Sequence, residues 1–192
     1  MTILILGILV LIGIHFVPAF PDLRDRLMAR LGKSGYRALF SIVSTLGLAL
    51  VIWGFAKAPV VQIWSPPDWT RHLALLLMLP VFPLLLAAYL PGKIKAKLHH
   101  PMLSAIKFWA LAHLIANGDL ASIILFGSFL AYAVVDRILL KRRPPAEPMP
   151  QPSEAQARRN DIISVFGGLA LYVIFLVWLH PLLIGVSPLA SG

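Results

Sequence analysis

The sequence predicts an all-α fold, a polytopic transmembrane helix bundle of about six spanning helices. Three observations carry that expectation. Of 192 residues, 59% are hydrophobic and only 13% charged, which is more apolar surface than a soluble domain of this length needs. The apolar residues gather into runs close to the roughly 20 residues that a helix needs to cross the hydrocarbon. Lys and Arg, which set the formal charge at +9, fall in short links between those runs. That placement reads the charge as topogenic rather than as a nucleic-acid footprint, so the expected surroundings are a lipid bilayer and no nucleic acid.

Six runs qualify: Ile3–Phe20, Ala38–Phe55, His72–Tyr89, Met102–Ala116, Leu120–Leu140 and Ile162–Ile184. The first opens at Met1 with no basic region before it and no small-residue cleavage site after it, and reads as an uncleaved helix. The fourth is short and carries Lys107, so it needs shielding by neighbours or spans less than the full layer. One membrane domain over residues 1–192 is expected.

The links alternate in charge. The first holds Arg24, Arg26, Arg30, Lys33 and Arg37, the third Lys93, Lys95 and Lys97, and the fifth Arg137, Lys141, Arg142, Arg143, Arg158 and Arg159. The second holds only Lys57 and Arg71, and the fourth holds no basic residue. By the positive-inside rule the odd links are cytoplasmic, which puts both termini outside, in a bacterial cytoplasmic (inner) membrane on the periplasmic face. In the first link Leu23, Leu27, Met28 and Leu31 recur at helical spacing beside the basic residues, as in a short interfacial helix against anionic headgroups. Residues 141–159 are rich in Pro and charge and read as a flexible cytoplasmic linker. Trp64 and Trp69 fit an aromatic belt. Pro80 and Pro83 must kink the third helix, because each lacks the amide that the helix would use.

The chemistry is narrower. With no cysteine there is no disulfide, no thiolate nucleophile and no thiolate metal ligand. No phosphate-binding glycine loop, nucleophile elbow or zinc-protease motif occurs. Gly167 and Gly168 read as a helix-packing pair. Six histidines remain as the main base or ligand side chains. His72, His99 and His180 sit at boundaries, where an imidazole simply meets water. His15 and His113 lie deeper, and an ionisable residue inside a span is a site hypothesis by default. His100 begins the fourth helix, thirteen residues and about 20 Å before His113, so a metal would need ligands from different helices. Trp109, His113 and Asn117 follow at steps of four and form one polar-aromatic stripe. Lys107 is expected to face a polar cavity or a carboxylate such as Asp119 or Asp136. Imidazole suits iron, and two axial histidines commonly hold a haem between helices.

The segments H-F-V-P-A-F-P-D-L-R in helix one, G-Y-R-A-L-F opening helix two, then H-H-P, W-A-L-A-H and D-R resemble the NnrU family of bacterial membrane proteins over nearly the whole chain up to Leu140. That family is distantly similar to 15-cis-zeta-carotene isomerase. The isomerase has a histidine closing helix one ahead of an L-R pair, which matches His15 ahead of Leu23-Arg24 with a gap two residues longer here. A second, ending W-C-L-A-H, matches His113. The resemblance implies that His15 and His113 are axial ligands of a haem b. The cysteine of that motif is Ala110 here, so a ligand switch through that thiol has no counterpart. It also implies a role linked to denitrification, in nitrite or nitric oxide reduction, or isomerase-like redox chemistry, with membrane redox or denitrification proteins as partners.

On the expected topology His15 lies near the cytoplasmic boundary, while His113 is about 18 Å along helix four from Met102. His100 is therefore the alternative partner of His15. Two other classes stand beside haem binding. H-H-P before an apolar helix also resembles the R-H-P of membrane methyltransferases that use S-adenosylmethionine, although Asp136-Arg137 is followed by I-L-L-K-R-R-P-P rather than an aromatic-glycine segment. The third class is a non-catalytic membrane assembly factor, with the histidines structural.

Overall fold

The computed structural model describes residues 1–142 and 152–189. Ten α-helices follow one another among these residues: α1 Thr2–Phe16, α2 Pro21–Ala56, α3 Trp69–Met78, α4 Val81–Tyr89, α5 Lys93–Leu98, α6 Pro101–Ala116, α7 Leu120–Lys141, α8 Glu154–Ile162, α9 Gly168–Ile174 and α10 His180–Ile184. Several join end to end. Five helical stretches, Thr2–Ala19, Pro21–Ala56, Trp69–Tyr89, Leu120–Lys141 and Glu154–Ile184, are long and apolar enough to cross a membrane, and Pro101–Ala116 is a shorter apolar helix. The all-α class is as the sequence reads, and the chain is a multi-pass membrane protein. Leu9, Ile42, Ile52 and Leu182 are each more than 60% exposed, which suits side chains that face lipid rather than water.

The chain divides into two compact units, residues 1–65 with 117–143 and residues 66–116 with 144–192.

In the first unit, α1 packs along the second half of α2, from Phe40 to Gly54, with α7 against α1. The core is Leu4, Ile8 and Leu11 of α1 with Val51 of α2. Glycine makes the approach possible. A Cβ on Gly7 would stand 2.6 Å from the Val51 nitrogen, one on Gly47 would stand 2.8 Å from the Leu11 nitrogen, and one on Gly54 would enter the Leu4 backbone. Without a hydrophobic drive between helices in lipid, such close backbone packing is a main source of association. α1 closes in a 3-10 turn at Val17–Ala19 that contains Pro18. α2 is interrupted at Gly32, with φ 70° and ψ 168°, a region open to glycine almost alone. Residues 21–31 therefore form the separate helix that the apolar spacing of Leu23, Leu27, Met28 and Leu31 predicts. The loop after α2 pairs with the turn before α7: Ile63 and Trp64 both donate their amides to the Gly118 carbonyl, at 2.9 and 3.2 Å, and Leu120 donates to Val61 at 2.8 Å. Asp119 is engaged as the N-cap of α7, accepting from the Ser122 amide at 2.9 Å and the Ser122 hydroxyl at 2.6 Å.

In the second unit, Val81, Leu84 and Ala105 form a buried core, packed by Met78, Leu85, Ile94, Leu98 and Trp109. The expected kink is present as a break between α3 and α4 at Leu79-Pro80. Pro80 has no amide to give Leu76, and the Leu79 amide takes that carbonyl instead, at 3.3 Å. This leaves Leu75 without its helical donor, and the Tyr172 hydroxyl supplies one at 3.0 Å. Gly168 lies against Pro83, where a Cβ would meet backbone, so of the Gly167-Gly168 pair it is Gly168 that permits close packing.

The linker expected over 141–159 is partly helix. Residues 143–151 lie outside the described residues. Residues 154–159 belong to α8, because the Ser153 hydroxyl accepts from the Gln156 amide at 3.3 Å and caps it. Asp161 then accepts the first amides of α5, from Lys93 at 2.9 Å and Ile94 at 3.2 Å, and Asn160 donates to the Pro91 carbonyl at 2.7 Å. The last span contains two π-helical turns, Ile163–Gly167 and Phe175–Leu179.

Candidate functional site

His15 occupies the last turn of α1, ahead of Pro18. Its Nδ1 lies 2.7 Å from the Leu11 carbonyl. A carbonyl only accepts, so Nδ1 carries the proton and Nε2 is the basic nitrogen of the ring. Aromatic rings surround it. Phe40 stands at 5.1 Å and Tyr132 at 6.2 Å between ring centroids, both edge-on, and Phe16 packs on Tyr132 at 5.2 Å. Tyr36 continues the group beside Phe40 at 6.4 Å. The α2 stripe that bears Phe40 also holds the Tyr36 and Ser44 hydroxyls, which are buried and have no hydrogen-bond partner among the described residues. A cavity of about 400 Å³ opens at Pro18, Tyr36, Arg37, Phe40 and Ser41.

His113 repeats the arrangement on α6 in the second unit. Its Nδ1 lies 2.8 Å from the Trp109 carbonyl, four residues earlier, and the two rings stand 5.4 Å apart. The i to i−4 bond again assigns the proton to Nδ1. A histidine so tethered has a fixed tautomer and ring orientation, the arrangement usual for metal-bound imidazoles. The stripe read from Trp109 and His113 is thus a ring contact.

His100 and His113 belong to the same unit, one just ahead of the first turn of α6 and the other near its last. His99 precedes them in a strained backbone, with φ 62° and ψ −46°. The His100 amide donates to the Leu98 carbonyl at 2.7 Å across it, which makes the H-H-P corner the rare γ-turn of positive φ. His180 donates Nδ1–H to the Val186 carbonyl at 2.7 Å and faces Phe175 at 6.0 Å. Among the described residues no group of three or more His, Asp or Glu side chains gathers as a metal cage.

Sequence reasoning missed Phe40, Tyr36 and Tyr132 as companions of His15. Tyr36 and Phe40 lie inside G-Y-R-A-L-F, a segment of the family resemblance that opens a helix but carries no sign of its neighbour His15. Tyr132 reaches His15 from a helix more than a hundred residues away in sequence, and no local spacing reports that.

No curated protein and no solved structure matches the chain. A family model described as NnrU protein matches residues 3–188. With nearly its whole length matched, the chain belongs to the NnrU protein family.

Proposed function

We propose that this protein binds haem b in the bacterial cytoplasmic membrane, with His15 and His113 as the residues that would hold it, and serves nitrite or nitric oxide reduction. The observation that carries the reading is the shared tether. Each of the two histidines stands on an apolar helix and donates Nδ1–H to the carbonyl four residues before it, which makes Nε2 the basic nitrogen. That donor set fits haem iron, which each histidine would hold through Nε2 while a main-chain carbonyl orients the ring. Within its own unit each histidine has aromatic company, Phe40 and Tyr132 at His15 and Trp109 at His113, apolar surface of the kind on which a porphyrin would pack. When bound, the haem would supply one-electron chemistry. The Leu11 and Trp109 carbonyls orient the two imidazoles. Both termini lie on the periplasmic side in this reading, and the links rich in Lys and Arg are cytoplasmic.

The test is the absorption spectrum of detergent-purified protein in wild type, His15→Ala, His113→Ala and His100→Ala forms. A Soret band that disappears in the first two variants and survives in the third supports the assignment. Loss in His100→Ala with retention in His113→Ala moves the second ligand to His100. Retention in all three removes the histidine pair from the site.

A further inference from the structure

We propose that residues 58–65, the loop that leaves α2, lie in the interfacial layer of the bilayer, with Val60, Val61, Ile63 and Trp64 against lipid rather than water. Nothing in this requires a haem. From Ala58 to Pro67 no residue is charged, and Lys57 and Asp68 close the stretch. Val60 is 86% exposed, Ile63 56% and Val61 41%. An apolar stretch left open in this way marks a surface with a partner.

The hydrogen bonds of the loop say which partner. Leu120, the first residue of α7, donates its amide to the Val61 carbonyl at 2.8 Å, and Ile63 and Trp64 donate to Gly118 at 2.9 and 3.2 Å. Gln62 stands opposite Asp119 in an antiparallel bridge. The loop is thereby fastened beside the point where α7 starts, and its other end follows directly from α2 at Ala56. Both helices are long and apolar enough to span, so these ends set the depth of the loop at the membrane boundary. Its apolar surface also continues that of Ile52 and Trp53 on α2, which are 62% and 55% exposed.

Backbone chemistry allows that depth. Irregular chain survives away from water only where its polar groups find partners. Pro59 has no amide to satisfy, Ala58 donates to the Phe55 carbonyl at 3.2 Å, and the Trp64 carbonyl accepts from the Gln62 side chain at 2.6 Å. The bridge also prevents an inward collapse. Gly118 lies so close to the Trp64 carbonyl that a Cβ would enter it. Val60 and Ile63 therefore stay outward, and their cover comes from outside the chain. Lipid supplies it at this depth, and tryptophan is a residue type that prefers this layer.

The experiment places a single cysteine at position 60 or 63 of the full chain, which has none of its own. The cysteine is labelled with nitrobenzoxadiazole, and the protein is reconstituted in vesicles of phosphatidylcholine and phosphatidylglycerol. Quenching is read with a doxyl-labelled phospholipid and with aqueous iodide. The references are Ile52→Cys, which faces lipid, and labelled glutathione in buffer, which faces water. Val60→Cys and Ile63→Cys should be quenched by the doxyl lipid as strongly as Ile52→Cys, and several-fold less by iodide than labelled glutathione. Both positions are exposed, so the label displaces no packing. Iodide quenching equal to that of labelled glutathione would overturn the proposal, since the loop would then stand in water. Protection from both quenchers would overturn it in favour of a covering protein, a second copy of this chain included. Adding Gly118→Ala to Ile63→Cys should raise iodide quenching, because the methyl unseats the bridge that sets the depth.

Discussion

A single methyl group decides the sign at two glycines of the first unit. On Gly54 it would enter the backbone of Leu4, while on Gly13 of α1 it would meet nothing within 4 Å. Gly54→Ala should therefore lower stability by about 1–3 kcal/mol, the usual cost of overpacking. Gly13→Ala should raise it by about 0.5–1 kcal/mol, because alanine loses less entropy in a helix. Thermal unfolding in detergent reads both, and equal shifts would mean that α1 and α2 do not touch as described. The same scale holds the chemistry. His15 and His113 were legible as ionisable residues in apolar runs, but their tautomers were not, since the tether to Leu11 and Trp109 is a matter of side-chain rotamer.

At the scale of the element, chain breaks govern the fold more than propensity does. The spans followed from apolar run length, and the Pro80 kink from a missing amide. The corner at His99 was not legible, because nothing in H-H-P specifies a positive φ for a histidine. It is the non-glycine residue with positive φ among the described residues, and such backbone costs about 1–3 kcal/mol. His99→Gly should recover part of this and raise the unfolding temperature, while His99→Ala should not. If both variants unfold alike, the γ-turn stores no strain. The extension of α8 back to Glu154 was hidden for a different reason. Its prolines and charges read as linker, and only Ser153 as a cap separates helix from what precedes it.

At the scale of the whole molecule, charge alternation and apolar length made the membrane class readable, since both act through the bilayer and not through specific partners. Contacts across distant helices were unreadable for the opposite reason: Tyr132 meets His15, and Tyr172 meets Leu75, with no signature in either segment. The proposed orientation is directly testable because the chain has no cysteine of its own. Single cysteines in place of Ser34, in the first link, and Ser187, after the last span, should report opposite faces. A membrane-impermeant maleimide applied to intact cells should label Ser187→Cys and spare Ser34→Cys. The reverse pattern would invert the topology.

Haem binding through His15 and His113 is the proposal that most needs a direct measurement. Titration of wild-type protein with ferric haem b, followed by absorption at the Soret maximum, tests it most directly. Saturation at one haem per chain, with the spectrum of a low-spin iron held by two histidines, is expected. A protein that purifies colourless and gives no saturable band across the titration would contradict it.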